Sequence, residues 1–498
     1  MAKLSSPPAA APAVERAAES GFVKGLSLLD ATLLVVGSMI GSGIFIVSAD
    51  IARQVGSPGW LLLVWLATGV LTVFGALSYG ELAAAMPRAG GQYVFLREGL
   101  GRLPGFLYGW TLFMVIQTGT IAAVGAAFAR FLGVFFPAVS PDVFLSFGRV
   151  PMPGGAVELG LSPQRGVAIG VIALLTAVNM RGLREAKWVQ NVFTVAKTGA
   201  LLGLIGLGVS VGRNADAVAR NFGGLFQGTV GGTQPVDFLG LQVALPALLL
   251  AFGAAMVGSL FSSDAWNNVT FAAAEVRRPE RNLPLALALG TATVTVLYLL
   301  ANLAYLMVLS FPEIQNAPQD RVGTVAMQAI FGGTGMYLMA GAILVSTFGC
   351  INGLVLAGAR VYYAMAKDGL FFERAGRVSP QTHVPVWALG VQGIWTALLT
   401  LTGTYGQLLD YVIFAALLFY ALTMVALFRL RVTRPEMPRP YRAVGYPLVP
   451  GFYLLAAAGI ALLLLFAKPV YTFSGLFLVL LGVPVYFLWE RLRRHGLA

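Results

Sequence analysis

The sequence predicts an all-α membrane protein that crosses the bilayer twelve times. Of its 498 residues 57% are hydrophobic and only 11% are charged, which is more apolar surface than a soluble fold of this length can bury. Its apolar residues also form runs of roughly twenty, the length that spans the hydrocarbon core as a helix. The predicted spans lie near residues 29–52, 60–86, 104–136, 165–181, 187–211, 244–275, 284–310, 333–364, 384–403, 408–430, 451–468 and 471–490.

The basic residues predict the orientation of these spans. An even number of spans puts both termini on one side, and a cytosolic N-terminus places most Lys and Arg residues inside. The outer side then receives only Arg53, Arg130, Arg149, Arg165, Arg213, Arg220, Arg321 and Lys468. We therefore expect a multi-pass protein of the inner (plasma) membrane with cytosolic N- and C-termini. Residues 1–24 and 491–498 are predicted cytosolic tails, the first of them disordered.

The composition argues against several functions. A net charge of +12 suggests nucleic acid, but the basic residues are spread in small groups between apolar runs rather than gathered in one patch. The single cysteine, Cys350, excludes an internal disulfide. Only two histidines are present, His383 and His495, and no nucleophile–base arrangement is recognisable, so we expect no metal, no cofactor and no enzyme activity.

Residues 36–45 (VGSMIGSGIF) predict a broken helix within the first span. They place three glycines and two serines in an apolar segment. A break at membrane depth persists only where protein buries it or where it lines a cavity, so the freed backbone groups around Gly41 are candidates to bind a polar ligand. The alternative is that Gly37 and Gly41 only allow close helix packing.

A second break is predicted in the sixth span, at residues 261–268 (FSSDAWNN). Breaks in the first and sixth spans, with five spans in each unit, indicate two inverted repeats at residues 25–211 and 244–430. Residues 451–490 hold the last two spans, outside the repeats. A substrate would then lie between the two breaks.

The polarity of the breaks fits a zwitterion. After the first break, the N–H groups of Ser42, Gly43 and Ile44 lie at the positive end of a half-helix and favour a carboxylate. Before it, the carbonyls of Met39 and Ile40 are free to accept from an ammonium group. At the second break the carbonyls of Phe261 and Ser262 have the same role, and Ser263 or Asp264 begins the next half-helix.

Asp264 has two readings in this pattern. It can cap a half-helix that begins at Ala265, or place a carboxylate beside the substrate amine or a cationic side chain, and one side chain could do both. Trp266 and Asn267 are candidates for lining the pocket, and Phe261 for a gate. Weaker candidates, equally well explained by helix packing, are Gln117, Thr118, Thr120, Phe414, Phe419 and Tyr420.

Lys197 lies in the middle of the fifth span, too deep for its ammonium group to reach the membrane surface. A buried ammonium needs a partner or loses its proton. Lys197 is therefore either a fixed cation bonded to carbonyls of the first break or a proton carrier that couples transport to pH. Ser346 and Thr347 are candidate hydroxyl partners, and Glu81 is a candidate for a gate or loop contact.

Several motifs together resemble amino acid permeases of the amino acid-polyamine-organocation superfamily, and most closely its L-type amino acid transporter group. They are residues 37–45, 76–82 (ALSYGEL), 87–93 (PRAGGQY), 189–193 (VQNVF), 266–275 (WNNVTFAAAE) and 281–284 (RNLP). The resemblance implies a LeuT-like fold of five plus five spans, with the carboxylate at Ser42 and Gly43 and the amine at the carbonyls of Met39 and Phe261. It also implies that Lys197 takes the place of a sodium ion.

These observations predict a secondary active amino acid transporter, working by exchange or proton-coupled uptake. Asp264 stands where the resemblance leads us to expect a glycine-like residue, which leaves the substrate range open. Animal members of the group are joined by a disulfide to a glycoprotein, but no extracellular cysteine is present here, so no disulfide-linked partner is expected. The alternatives are an amino acid-sensing receptor on the same fold and, less favoured, a channel.

Overall fold

A computed structural model describes residues 22–152, 155–238, 241–402 and 405–494, and most of these residues are helical. The predicted N-terminal tail up to residue 21 and the end of the C-terminal tail, including His495, lie outside the described residues. The helices are α1 Leu28–Met39, α2 Gly43–Val55, α3 Pro58–Ala85, α4 Gln92–Leu100, α5 Arg102–Leu132, α6 Pro163–Met180, α7 Leu183–Val209, α8 Ala215–Gly223, α9 Ala247–Ser262, α10 Asn268–Phe271, α11 Pro279–Val308, α12 Phe311–Gln315, α13 Val322–Lys367, α14 Val386–Thr400, α15 Tyr405–Thr433, α16 Leu448–Ala467 and α17 Pro469–Arg494.

The prediction of a multi-pass membrane protein is confirmed. Within the described residues, nine helices are long and apolar enough to cross a bilayer, and α1 with α2, bent by 41°, form one further span. The apolar helices α9 and α14 are shorter and coincide with the sixth and ninth predicted runs. The total of twelve spans and the inverted repeat stay predictions.

Two antiparallel hairpins depart from the all-α prediction. They are formed by β1 Leu145–Met152 with β2 Gly155–Leu161 and by β3 Thr233–Phe238 with β4 Leu241–Pro246. Both lie in connections that the sequence assigns to the outer side. Because β4 extends to Pro246, the helical part of the sixth run begins at Ala247 instead of residue 244.

The ends of the first helices follow from local sequence. Ser27 and Asp30 form a capping box at the start of α1, in which each side chain bonds to the other residue's backbone N–H. Gly56 ends α2 with φ +74°, a left-handed conformation that glycine adopts without strain. The long helix α13 is interrupted at Phe331 and Gly332, where Gly332 has φ +62°, close to the predicted start of the eighth span at residue 333.

Four helices, α7, α9, α11 and α13, pack against the two halves of the first break. α1 packs against α7, α11 and α13, while α2 packs against α9 and α13. The fully buried side chains of this region include Ile40, Ile44, Tyr305 and Ile343. Both breaks therefore lie inside the helix bundle, enclosed by protein instead of facing lipid.

Candidate functional site

The first break is present where the sequence predicts it. α1 ends at Met39 and α2 begins at Gly43, with Ile40, Gly41 and Ser42 between them. The first N–H groups of an α-helix have no carbonyl partner within the helix. At α2 the Ser42 side chain does not cap them either. The backbone polarity required for an anion is therefore in place at this helix start.

The second break is longer than expected. α9 ends at Ser262 and the next helix, α10, begins at Asn268 and not at Ala265. Ala265 has φ +65°, a left-handed conformation that cannot start an α-helix, which is the physical reason for the difference. The interpretation of Asp264 as the cap of a half-helix starting at Ala265 is therefore wrong.

The two breaks touch each other. A Cβ atom added to Gly43 would lie 2.0 Å from Ser262 Oγ, so only glycine lets the two segments approach this closely. Tyr298 of α11 joins them as well, because its Oη lies 2.9 Å from the Met39 carbonyl oxygen and 3.0 Å from that of Ser262. One phenol thus lies between the carbonyl groups of both breaks.

Lys197 bonds directly to the first break. Its side chain is fully buried, and Nζ donates to the carbonyl oxygens of Gly37 at 2.5 Å, Ile40 at 2.6 Å and Ser346 at 3.2 Å. Ser346 Oγ lies 3.0 Å from the Gly41 carbonyl oxygen. This is the geometry of a cation that neutralises the free carbonyls at the end of α1.

Thr347 is not part of this cluster. Its hydroxyl donates to the Ile343 carbonyl oxygen at 2.9 Å, one turn earlier in α13. Cys350 belongs to the cluster, because its Sγ donates to the Ser38 carbonyl oxygen at 3.1 Å. Of the two predicted hydroxyl partners, the structure brings Ser346 alone to the break.

The glycines of the first break also serve close packing. A Cβ at Gly37 would meet the Gln190 and Thr194 side chains of α7 at 2.1 and 2.2 Å, and one at Gly41 would lie 3.0 Å from Cys350 Sγ. The broken-helix and packing interpretations thus describe the same residues and do not exclude each other.

Asp264 faces α15. Its carboxylate accepts a hydrogen bond of 2.5 Å from Tyr420 Oη, and both side chains are buried. Trp266 packs against the rings of Tyr79 and Tyr420, with centroids 4.8 and 5.4 Å away. Asn267 donates to Gln92 Oε1 at 2.8 Å, and its Oδ1 lies 3.5 Å from Tyr420 Oη.

Two small cavities flank the pair formed by Asp264 and Tyr420. Ser263 and Trp266 line the first, and Gln117 and Asn267 line the second. Both are of water size and too small for an amino acid. Phe261 is buried and lines neither cavity. Among the weaker candidates, Thr120 also lines the second cavity, whereas Thr118 bonds within its own helix and Phe419 packs on Tyr108.

Tyr298 was missed at the sequence level. It shares one face of α11 with Asn302 and Tyr305, at spacings of four and three residues. Asn302 accepts from Ser48 Oγ at 2.7 Å, and Tyr305 Oη lies 3.3 Å from the Ile44 carbonyl oxygen. This polar stripe in an apolar helix was the available signal, since buried polar groups need partners.

The end of the helix bundle that the sequence predicts to be cytosolic is closed by ion pairs and a backbone strap. Residues 22–26 cross this end, where Leu26 N–H donates to the Glu275 carbonyl oxygen at 2.9 Å and Arg277 N–H donates back to that of Leu26 at 2.8 Å. Glu275 pairs with Arg360 at 3.0 Å, and each side chain is 1% exposed. Glu81 accepts from Arg431 at 2.5 Å and from the Ala443 N–H at 2.7 Å, so it is a loop contact and lies apart from the breaks.

We expect Glu275→Ala and Arg360→Ala each to lower the stability by about 3–5 kcal/mol, because each leaves the other charge buried without its partner. The double variant should lose less than the sum of the two single losses. Thermal unfolding in detergent measures the loss of stability in the single and double variants. Glu373→Ala is the matched control, because its pair with Arg377 is exposed and should contribute little. Additive losses would contradict the pairing.

The helices and the enclosed breaks define a polytopic membrane protein with a polar centre. A model of the amino acid permease family matches residues 26–487, and the chain belongs to this family. The resemblance inferred from the motifs is thereby confirmed.

Individual relatives of the chain are named as amino acid transporters. The mouse b(0,+)-type amino acid transporter 1 is 30% identical over 473 residues, covering 94% of this chain and 88% of its own length. The rat and human large neutral amino acids transporter small subunit 2 are each 31% identical over 471 residues, covering 93% of this chain and 80% of theirs. Because these relatives are transporters, the expectation of a permease without enzyme activity is confirmed.

Proposed function

We propose that the chain is a secondary active amino acid transporter that works by alternating access, as an exchanger or a proton-coupled uptake system. The observation that carries this proposal is the direct contact of the two breaks, at Gly43 with Ser262 and through Tyr298. The names of the relatives support amino acids as the substrate class. Under this proposal, one substrate contacts both breaks at once.

The backbone end of the substrate is bound by the breaks. The carboxylate accepts from the N–H groups of Ser42, Gly43 and Ile44, at the positive end of α2. The amine donates to the carbonyls of Met39, Ile40, Phe261 and Ser262. Tyr298 contacts the Met39 and Ser262 oxygens, and each of these carbonyls keeps a second lone pair for the amine. The Ile40 oxygen already accepts from both Lys197 and Ser346, so the amine takes the place of one of these two donors there.

Lys197 is a fixed cation in the exchanger form of this scheme, whereas in the proton-coupled form it is the proton carrier. Its ammonium group lies among the carbonyls of Gly37, Ile40 and Ser346, where a metal cation would otherwise satisfy them. Sodium coupling is therefore disfavoured.

Transport requires the structure to open. The cavities beside Asp264 are too small for an amino acid, so the proposed binding site is closed in this conformation. The cytosolic strap and the pair of Glu275 with Arg360 would have to separate for release to the cytosol. Rocking of the repeat at residues 25–211 against that at residues 244–430 is the motion we propose.

We further propose that the chain lies in the inner membrane with cytosolic termini and has no disulfide-linked partner. The relatives include proteins named as small subunits, so an assembly through other contacts is compatible with the proposal. Cys350 is the only thiol, and it is buried with Sγ bonded to the Ser38 carbonyl. A disulfide to another chain would require this site to unfold.

The test is uptake of labelled amino acids into liposomes containing the purified protein. Thermal stabilisation by each of the common amino acids first identifies a ligand. A transporter accumulates or exchanges that ligand across the membrane, whereas the alternative, an amino acid-sensing receptor, binds it without moving it. Binding without flux would contradict the proposal.

Asp264→Asn tests the carboxylate. If Asp264 contacts a cationic substrate group, the variant should lose about tenfold in affinity for cationic amino acids, roughly the 1.4 kcal/mol of one charged contact, and keep its affinity for neutral ones. Competition against a labelled neutral substrate measures both. Thr72→Val, at the same cavity, is the control. Unchanged affinity for both classes would leave Asp264 as a structural partner of Tyr420.

A further inference from the structure

The buried stripe of α7 is polar in one half and apolar in the other. Ala186, Gln190, Thr194 and Lys197 follow at spacings of four, four and three residues and face the protein interior. Beyond Lys197 the same stripe continues with leucines, at positions 201 and 204. The polar half runs from the predicted cytosolic end of the helix to Lys197 and stops there.

The neighbouring helix α6 repeats this division. Its buried face carries Thr176 and Asn179 near the predicted cytosolic end and only apolar residues farther out. Asn352 of α13 connects the two helices. Its Nδ2 donates to Gln190 Oε1 at 3.1 Å and to the Ala186 carbonyl oxygen at 3.0 Å, and its Oδ1 accepts from Asn179 at 3.0 Å.

The chain of contacts reaches Lys197 through Gly37. Gln190 Nε2 donates to Thr194 Oγ1 at 3.3 Å, and both groups occupy the space that a Cβ at Gly37 would fill. The Gly37 carbonyl accepts from Lys197 Nζ. From Ala186 to Lys197 the helix rises about 16 Å, so these polar groups cover the distance from the end of the span to its centre.

Three polar atoms that the structure describes beside these contacts lack hydrogen-bond partners. One of them, Ser38 Oγ, occupies together with Gln190 Oε1 the space that a Cβ at Gly353 would fill. Within the described residues, Ser38 Oγ, Thr176 Oγ1 and Asn179 Oδ1 are buried without a hydrogen-bond partner. A buried polar atom left in that state costs about 1–3 kcal/mol. Polar side chains that serve only to hold helices together would be expected to satisfy one another, whereas groups that bind internal water keep unmet hydrogen-bonding capacity.

We infer that Asn179, Asn352, Gln190, Thr194 and Ser38 form a water-binding relay through which Lys197 exchanges its proton with the cytosol. The inference deepens the proposed function and rests on its proton-coupled form and on the predicted orientation. In this step the Lys197 ammonium gives one proton to a relay water, which passes a proton on to the cytosolic side and leaves a neutral amine. Reprotonation reverses the step.

The surroundings of Lys197 favour such a route. α13 contributes Cys350 and the Ser346 carbonyl, and α1 contributes the Gly37 carbonyl. α11 also packs against α7, and its Tyr298 is bonded to the Met39 carbonyl. Among the described residues, no Asp or Glu forms an ion pair with Lys197. The carboxylate nearest the cytosolic end of α1, Asp30, is paired with Lys187. A proton from Lys197 therefore passes through neutral groups.

The experiment compares two activities of the same proteoliposomes. One is exchange of labelled for unlabelled amino acid at equal pH, which needs substrate binding and alternating access but no net proton movement. The other is net uptake driven by a pH gradient, with protons followed by a pH-sensitive dye inside the vesicles. The variants are Gln190→Met and Asn352→Leu, and the control is Thr291→Val, a buried hydroxyl bonded only within α11.

We expect both variants to keep exchange and to lose about tenfold or more of the gradient-driven proton and amino acid flux, with Thr291→Val unchanged. Retained proton flux in both variants would overturn the relay and leave helix packing as the role of these side chains. Exchange without proton movement in the unsubstituted protein would also overturn the relay, but it would support the proposal that the protein is an amino acid exchanger. Absence of both activities in the unsubstituted protein would overturn the proposed function itself.

Discussion

Lys197→Ala should abolish amino acid uptake, by about a hundredfold or more, while the protein still folds. The substitution removes the donor to three carbonyl oxygens around the first break. Charged hydrogen bonds contribute about 1.5–3 kcal/mol each, so losing even two of them is enough for an effect of this size. Uptake into liposomes measures the loss, and monodispersity in detergent reports folding.

Two further variants separate charge from size at this position. Lys197→Met keeps most of the side-chain volume and should be as inactive as Lys197→Ala, because the ammonium group is what the carbonyls require. Val195→Ala lies on the lipid-facing side of the same helix and should retain uptake. Full activity in either Lys197 variant would remove this residue from the mechanism.

Gly43→Ala should reduce uptake by about ten- to a hundredfold, because the added Cβ would lie 2.0 Å from Ser262 Oγ and 2.7 Å from its Cβ. Overpacking of this kind costs about 1–3 kcal/mol and would displace the two breaks from each other. Initial uptake rates measure the effect.

A second substitution tests whether the clash is the cause. Ser262→Gly removes the two side-chain atoms nearest to the added methyl group, so Gly43→Ala with Ser262→Gly should recover part of the uptake. Gly199→Ala, on α7 where a Cβ meets no neighbour within 4 Å, is the matched glycine control. A double variant as inactive as Gly43→Ala alone would show that the loss has another origin.

Local sequence was sufficient to predict most of the helices and the first break. Apolar runs fix where a helix can cross the bilayer, and the glycines and serines of residues 36–45 mark the interruption. The second break was located correctly, but its end was not. The left-handed conformation of Ala265 delays the next helix to Asn268, and nothing in an alanine side chain signals that conformation.

Contacts between distant segments were harder to predict. The bonds of Tyr298 to both breaks and of Tyr420 to Asp264 join residues far apart in the chain, so they depend on how the helices assemble. The two hairpins lie mainly in connections between the predicted spans, where the sequence pattern for membrane helices carries no information, and only β4 extends into the start of an apolar run. Lys197 was identifiable because a buried charge in a span requires a partner, although which carbonyls provide it was left open.

A cryo-EM structure with bound substrate would show whether one amino acid contacts both breaks. We predict density for the carboxylate within hydrogen-bond distance of the Ser42 and Gly43 N–H groups, and for the amine at the carbonyls of Met39 or Phe261. Substrate density elsewhere, with Gly43 still packed against Ser262 and no ligand atom at either break, would show that the breaks do not form the binding site.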